Sequence, residues 1–175
     1  MKNLKLLFIA IIAIVISSCS KDDPEPKGHF IYKGETYDLE CATVYDLGES
    51  GNLSFRSYKV AIMSSQGNHK NQIKFGINSS SLDCIELGTY KYKNLSSVKN
   101  FFYGLTIEYD LEYNEDSKII GGKRITWYDS DVDFEGTVTV SEKGEDRKFT
   151  FDITVIIDGK KEKLTGEFCG ELNNL

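Results

Sequence analysis

The stretch Phe149-Thr-Phe-Asp-Ile-Thr-Val-Ile-Ile157, Asp158-Gly159, Lys160-Lys-Glu-Lys-Leu164-Thr-Gly-Glu-Phe168 decides the fold class. Phe149, Phe151, Ile153, Val155 and Ile157 alternate with mainly polar neighbours, and a period of two marks a strand buried on one face. Asp158-Gly159 is a pair that accepts positive φ in a tight type I′ turn, and Leu164, Gly166 and Phe168 resume the alternation on the way back. The segment therefore reads as a β-hairpin, and its one-faced pattern is that of antiparallel sheet.

The same period extends outward through the chain. Phe134, Gly136, Val138 and Val140 alternate with polar residues just upstream. His29 to Tyr32 and Thr36 to Tyr45 flank Lys33-Gly34-Glu35, with Tyr37, Leu39, Cys41, Thr43 and Tyr45 expected on one face. Tyr58, Val60 and Ile62 pair across a polar turn, Ser64 to Asn71, with Ile73, Phe75 and Ile77. Tyr103, Leu105, Ile107, Tyr109, Leu111 and Tyr113 give the longest alternation. It closes at Asn114 to Ser117 and is answered by Ile119 to Tyr128, where Gly121-Gly122 predicts a bulge or sharp bend.

About nine or ten strands with no helical stripe predict an all-β fold. Uneven strand lengths and the Gly-Gly interruption favour an antiparallel β-sandwich over an even up-and-down barrel. The alternative is a lipocalin-like closed β-barrel, which would hold one small apolar ligand.

The 175 residues, 40% hydrophobic and 27% charged, fit one ordinary globular domain. The net charge is −6, and without residues 1–18, which carry Lys2 and Lys5, it is −8. An acidic balance of this kind argues against nucleic acid as a partner, because phosphate binding needs a basic surface.

The beginning of the chain carries an address. Lys2 and Lys5 precede an apolar run from Leu6 to Ile16, followed by Ser17-Ser18-Cys19. The run is too short to span a membrane: at ~1.5 Å per residue it covers about half of a ~30 Å hydrocarbon core. Ile16-Ser17-Ser18-Cys19 resembles the lipobox of bacterial lipoproteins. The resemblance implies cleavage before Cys19 and acylation of that cysteine, and several acyl chains, palmitate among them, anchor a protein stably. Ser20 to Pro26 is charged and contains both prolines, so residues 19–27 read as a lipidated cysteine and flexible tether between a signal peptide, 1–18, and a single β domain, 28–175.

Lys21-Asp22-Asp23, directly after the cysteine, resembles the export signal of Bacteroidota-type surface lipoproteins. It implies an outer-membrane, lipid-anchored protein exposed at the cell surface. Gly34-Glu-Thr-Tyr37, Gly88-Thr-Tyr90, Gly136 to Val140 and Thr165 to Gly170 are similar to motifs of small lipoproteins in that group, which imply a β domain and carry over no activity.

Catalytic chemistry finds little footing. The two histidines, His29 and His69, lie beside predicted turns without ligand-spaced partners, and Gly48-Glu-Ser50-Gly51-Asn52 departs from a nucleophile elbow at its last position and lacks a following helix. The expected protein is noncatalytic, with no cofactor and no resident metal. Cys41, Cys84 and Cys169 allow at most one intramolecular disulfide, which their spacing does not identify. Cys41 reads as a buried free thiol, and Cys169 faces outward if Phe168 is core.

The most unusual local feature is Trp127-Tyr128 followed by Asp129, Asp131, Asp133 and Glu135. As a calcium loop counted from Asp129 the pattern fails, with Phe134 where glycine is required and Val140 where glutamate is. Aromatic faces beside carboxylates are, however, what a sugar-binding surface uses, rings packing on C–H faces while acids accept hydroxyl hydrogen bonds. Ile125 shares the face of Trp127 and would draw that ring into the core. The domain is thus expected to bind a glycan or a partner protein through Trp127, Tyr128, Asp129, Asp131 and Asp133, with carriage of a small apolar ligand as the alternative.

Overall fold

A computed structural model describes residues 26–49, 51, 54–66, 69–94, 99–116 and 118–174. The lipobox with Cys19, Ser20 to Glu25, Ser50 and the turn residues 67–68 lie outside them.

The described chain is all-β, with twelve strands in one strongly curled sheet. In chain order they are β1 Gly28–Tyr32, β2 Glu35–Leu39, β3 Cys41–Glu49, β4 Arg56–Gln66, β5 His69–Ser79, β6 Gly88–Tyr92, β7 Phe101–Tyr113, β8 Ile119–Thr126, β9 Val132–Lys143, β10 Asp146–Ile157, β11 Lys160–Gly170 and β12 Leu172–Asn174. Their order is β12-β3-β4-β5-β7-β6-β9-β10-β11-β1-β2, and β8 pairs with β7 alone.

The closing hairpin forms as its sequence dictates. Asp158 (φ 50°) and Gly159 (φ 75°) make the turn, and β10 and β11 pair without interruption from Ile157↔Lys160 to Arg147↔Gly170.

Three expectations need correction. The strands number twelve rather than nine or ten. The sheet is mixed rather than antiparallel throughout, because β6 runs parallel to β7 and β12 parallel to β3. The segment Thr36 to Tyr45 is not one strand with one inner face: it breaks at Glu40, whose amide donates to the Met63 carbonyl at 2.9 Å. Tyr37 and Leu39 are buried before the break and Ala42 and Val44 after it, so the inward parity flips there and Thr43 and Tyr45 face out. This corner lets the chain leave β1 at one end of the sheet path and pair with β4 near the other.

The long alternation in β7 is likewise broken. Register shifts against β5 and β8, with positive φ at Gly104 and Asp110, leave Phe102, Leu105 and Ile107 in the core with Tyr109 packed against it, whereas Leu111, buried opposite Lys70, lies outside that cluster. Gly121-Gly122 does fall at an irregularity, as expected.

The curl has a local cause. Gly28, Gly136 and Gly166 occupy inward positions on β1, β9 and β11, and a Cβ at each would overlap the backbone of the adjacent strand. Lacking side chains, they let these strands fold over the core. Inside, Phe75 on β5 meets Phe149 and Phe151 on β10 at 6.1 Å between ring centres, and Phe30, Tyr32, Phe102 and Phe168 are also fully buried. Burial of such rings supplies the main stabilising term at ~25 cal/mol per Å² of apolar surface.

Candidate functional site

The outer face of an exposed antiparallel sheet is ordinarily solvated. Here, across β4, β5, β7 and β8, it is hollow. Register aligns three rows of outward residues: Lys59–Gly76–Tyr103, Ala61–Lys74–Thr106–Thr126 and Met63–Gln72–Glu108–Arg124. Ala61, Gly76 and the two threonines keep the floor low, and Thr106 and Thr126 join through their hydroxyls at 3.1 Å. Tyr103 lies across Gly76, in space a Cβ would fill, and burial pushes its phenol pKa up. The result is a groove of about 320 Å³, within the size range of small-ligand sites.

Trp127 and Tyr128 rise at its rim. β8 ends at Thr126, the Trp127 amide donates to the Leu105 carbonyl at 3.1 Å, and a turn follows in which Asp129 N donates back to Thr126 O. The strand parity that would have taken Trp127 inward with Ile125 therefore stops one residue short. Contrary to the core position expected from Ile125, Trp127 is 38% exposed and Tyr128 69%. Their ring centres lie 4.5 Å apart, and the indole edge stands over Gly104.

Glu108 provides the carboxylate at the groove's base. It is only 2% exposed, and Oε1 accepts from Arg124 Nε at 2.7 Å and from Lys74 Nζ at 3.3 Å. Two cations compensate the desolvated charge. Both ion pairs fall on Oε1, and a carboxylate has further lone-pair sites that can accept from a donor.

The acids that follow Trp127 are not part of this groove. Asp129, Asp131 and Asp133 are exposed, and none of them lines it. Asp129 Oδ2 accepts from Thr126 N at 3.4 Å, Asp131 offers its carbonyl to Asp158 N, and Asp133 Oδ1 accepts from Phe134 N at 2.7 Å. Among the described residues no cluster of three or more His, Cys, Asp or Glu is arranged to hold a metal. The structure groups Trp127 and Tyr128 with Glu108 rather than with the acids that follow them in sequence: Glu108 is nineteen positions before Trp127 and joins the same groove through the β7–β8 pairing.

The described cysteines are free thiols. Cys41 is half-buried, its Sγ 3.6 Å from the Met63 carbonyl, and burial raises its pKa. Cys169 is half-buried beside a fully buried Phe168, and Cys84 is exposed.

No protein-family model matches the chain, and neither curated proteins nor solved structures give a significant match.

Proposed function

We propose that this is a lipid-anchored outer-membrane lipoprotein, displayed at the cell surface through acylated Cys19, whose noncatalytic β domain binds a glycan. The anchor and location rest on Ile16 to Cys19 and Lys21-Asp22-Asp23. One observation carries the binding reading: two adjacent, solvent-facing rings, Trp127 and Tyr128, rim a groove with a buried carboxylate at its base. A pyranose presents an apolar C–H face and a ring of hydroxyls, and stacked rings beside a fixed acceptor suit both.

A groove of this depth suits a sugar better than a flat protein surface, and nothing in this reading calls for nucleic acid or a cofactor. We take the curl as two flanks pressed together in the manner of a sandwich, not as a closed lipocalin-like barrel. The ring contacts between Phe75 and Phe149 occupy the space an apolar cargo would need, which weighs against the carrier alternative.

A glycan array probed with the full chain in detergent tests the proposal, with a Trp127→Ala, Tyr128→Ala variant in parallel. Specific binding lost in the variant is the expected result. A blank array from folded protein refutes the sugar reading. Failure of a labelled fatty acid to enter the chain, or its equal entry into Cys19→Ser, refutes the anchor.

A further inference from the structure

The groove under Trp127 does not stop at Lys74. A second depression lined by Tyr45, Ala61, Met63, Lys70 and Gln72 shares Leu47, Lys59 and Lys74 with it, so the two form one trough across β3, β4, β5, β7 and β8. Four strand spacings of ~4.8 Å make it about 19 Å long, room for several sugar residues in a row.

The charge of the trough is one-sided. Lys59, Lys70, Lys74 and Arg124 line it, and Glu108 is the single acid among its lining residues, on a chain whose net charge is −6. Lys74 and Arg124 share Glu108 Oε1, while Lys59 is exposed and has no acidic partner among the described residues. A cationic recess in an anionic surface concentrates anions by focusing the field. Exposed rings at both ends, Tyr45 at one and Trp127 with Tyr128 at the other, give the same recess stacking surfaces.

We infer that the trough binds one extended acidic oligosaccharide, with ring faces on Trp127, Tyr128 and Tyr45 and anionic groups on Lys59, Lys70 and Lys74. The inference rests on the sugar reading above and adds the ligand's charge and length.

Titration calorimetry of the full chain in detergent tests it with four probes: oligogalacturonate, chondroitin sulfate oligosaccharides, neutral xylo-oligosaccharides and inorganic polyphosphate. At least one acidic sugar is expected to bind ~10-fold tighter than the neutral one, the product of two lysine contacts, and to weaken as salt rises. The two acidic probes distinguish carboxylate from sulfate. Lys59→Gln, a change at an exposed side chain, is expected to weaken that binding about two- to fivefold and flatten its salt dependence, and Trp127→Ala to weaken it as well. Neutral sugar bound as tightly as acidic sugar overturns the inference and leaves the sugar reading standing. Polyphosphate bound as tightly as the acidic sugars, with Trp127→Ala silent, reduces the trough to a charge patch and overturns it. No sugar of either kind bound removes both readings.

Discussion

Glu108 is a charged residue in a position where its chain neighbours give no warning of burial. It stands between Ile107 and Tyr109 in an alternating strand, and outward carboxylates in such strands are normally solvated. Its enclosure comes from Gln72 on β5 and Arg124 on β8, which register brings alongside from separate parts of the sequence. Glu108→Gln keeps the shape but removes the charge that Lys74 and Arg124 share. Hydrogen bonds to a charged group are worth about 1.5–3 kcal/mol against about 1 for neutral ones, and Arg124 remains partly solvated, so the expected loss is about 1–2 kcal/mol. Urea denaturation measures it, and a loss under a few tenths would mean the two ion pairs are loose. Trp127 shows the opposite failure of legibility: the strand that would have carried it inward with Ile125 ends at Thr126, a boundary marked by the hydrogen bond from the Trp127 amide to Leu105.

Among the elements, the β10–β11 hairpin was fully legible because its information is local: two alternating runs and a turn pair that tolerates positive φ. The β2–β3 corner was not. Tyr37, Leu39, Cys41, Thr43 and Tyr45 keep a perfect period across it, and nothing local says that Glu40 bends to reach Met63. β8 differs from its neighbours in a way that predicts dynamics. Among the described residues it pairs only with β7, its register slips near Gly121, and of its own residues only Ile125 and Thr126 at its end are buried. Few buried contacts mean a low local opening free energy. In hydrogen exchange followed by mass spectrometry, amides of Ile119 to Arg124 are expected to exchange well before those of β10, which is paired on both sides. Equal protection would show that β8 opens only with the whole domain. If acidic sugar binds the trough, protection of β8 should rise, since Arg124 and Thr126 line it.

For the whole molecule, the phenols report on the core. Burial holds Tyr32 and Tyr92 up to about 12, against 10 in an open chain, and burial together with the Glu35 hydrogen bond holds Tyr37 higher still. The fold thus favours their neutral forms. That contribution is complete below pH 10 and declines as pH rises from 10 to 12, where the unfolded chain has released protons that the native one still holds. Alkaline titration by tyrosinate absorbance is expected to show Tyr32, Tyr37 and Tyr92 ionising only as circular dichroism reports unfolding. A single early step for all tyrosines would contradict the packing described. All-β character was legible at this scale from the repeated period, whereas the curl was not, because it depends on which inward glycines meet which strand.

β1 pairs with β11 from Gly28↔Phe168 to Tyr32↔Leu164, so the first described strand has its partners in the last long one. Such a pairing spans nearly the full described length, and contacts of that separation slow folding because the loop must close before they form. A chain ending at Gly159 would leave β1 with β2 alone and β10 with a bare edge, an exposed template for other strands. Deletion of residues 160–175 is accordingly expected to abolish cooperative unfolding and promote aggregation. A cooperative transition in the truncated chain, seen by denaturant titration, would show that β11 is dispensable. The pairing of Gly28 with Phe168 thereby makes the domain a test of its own synthesis: only a polypeptide translated to the far end of β11 holds both members of its opening strand pair, and every shorter product is marked by an unsatisfied edge.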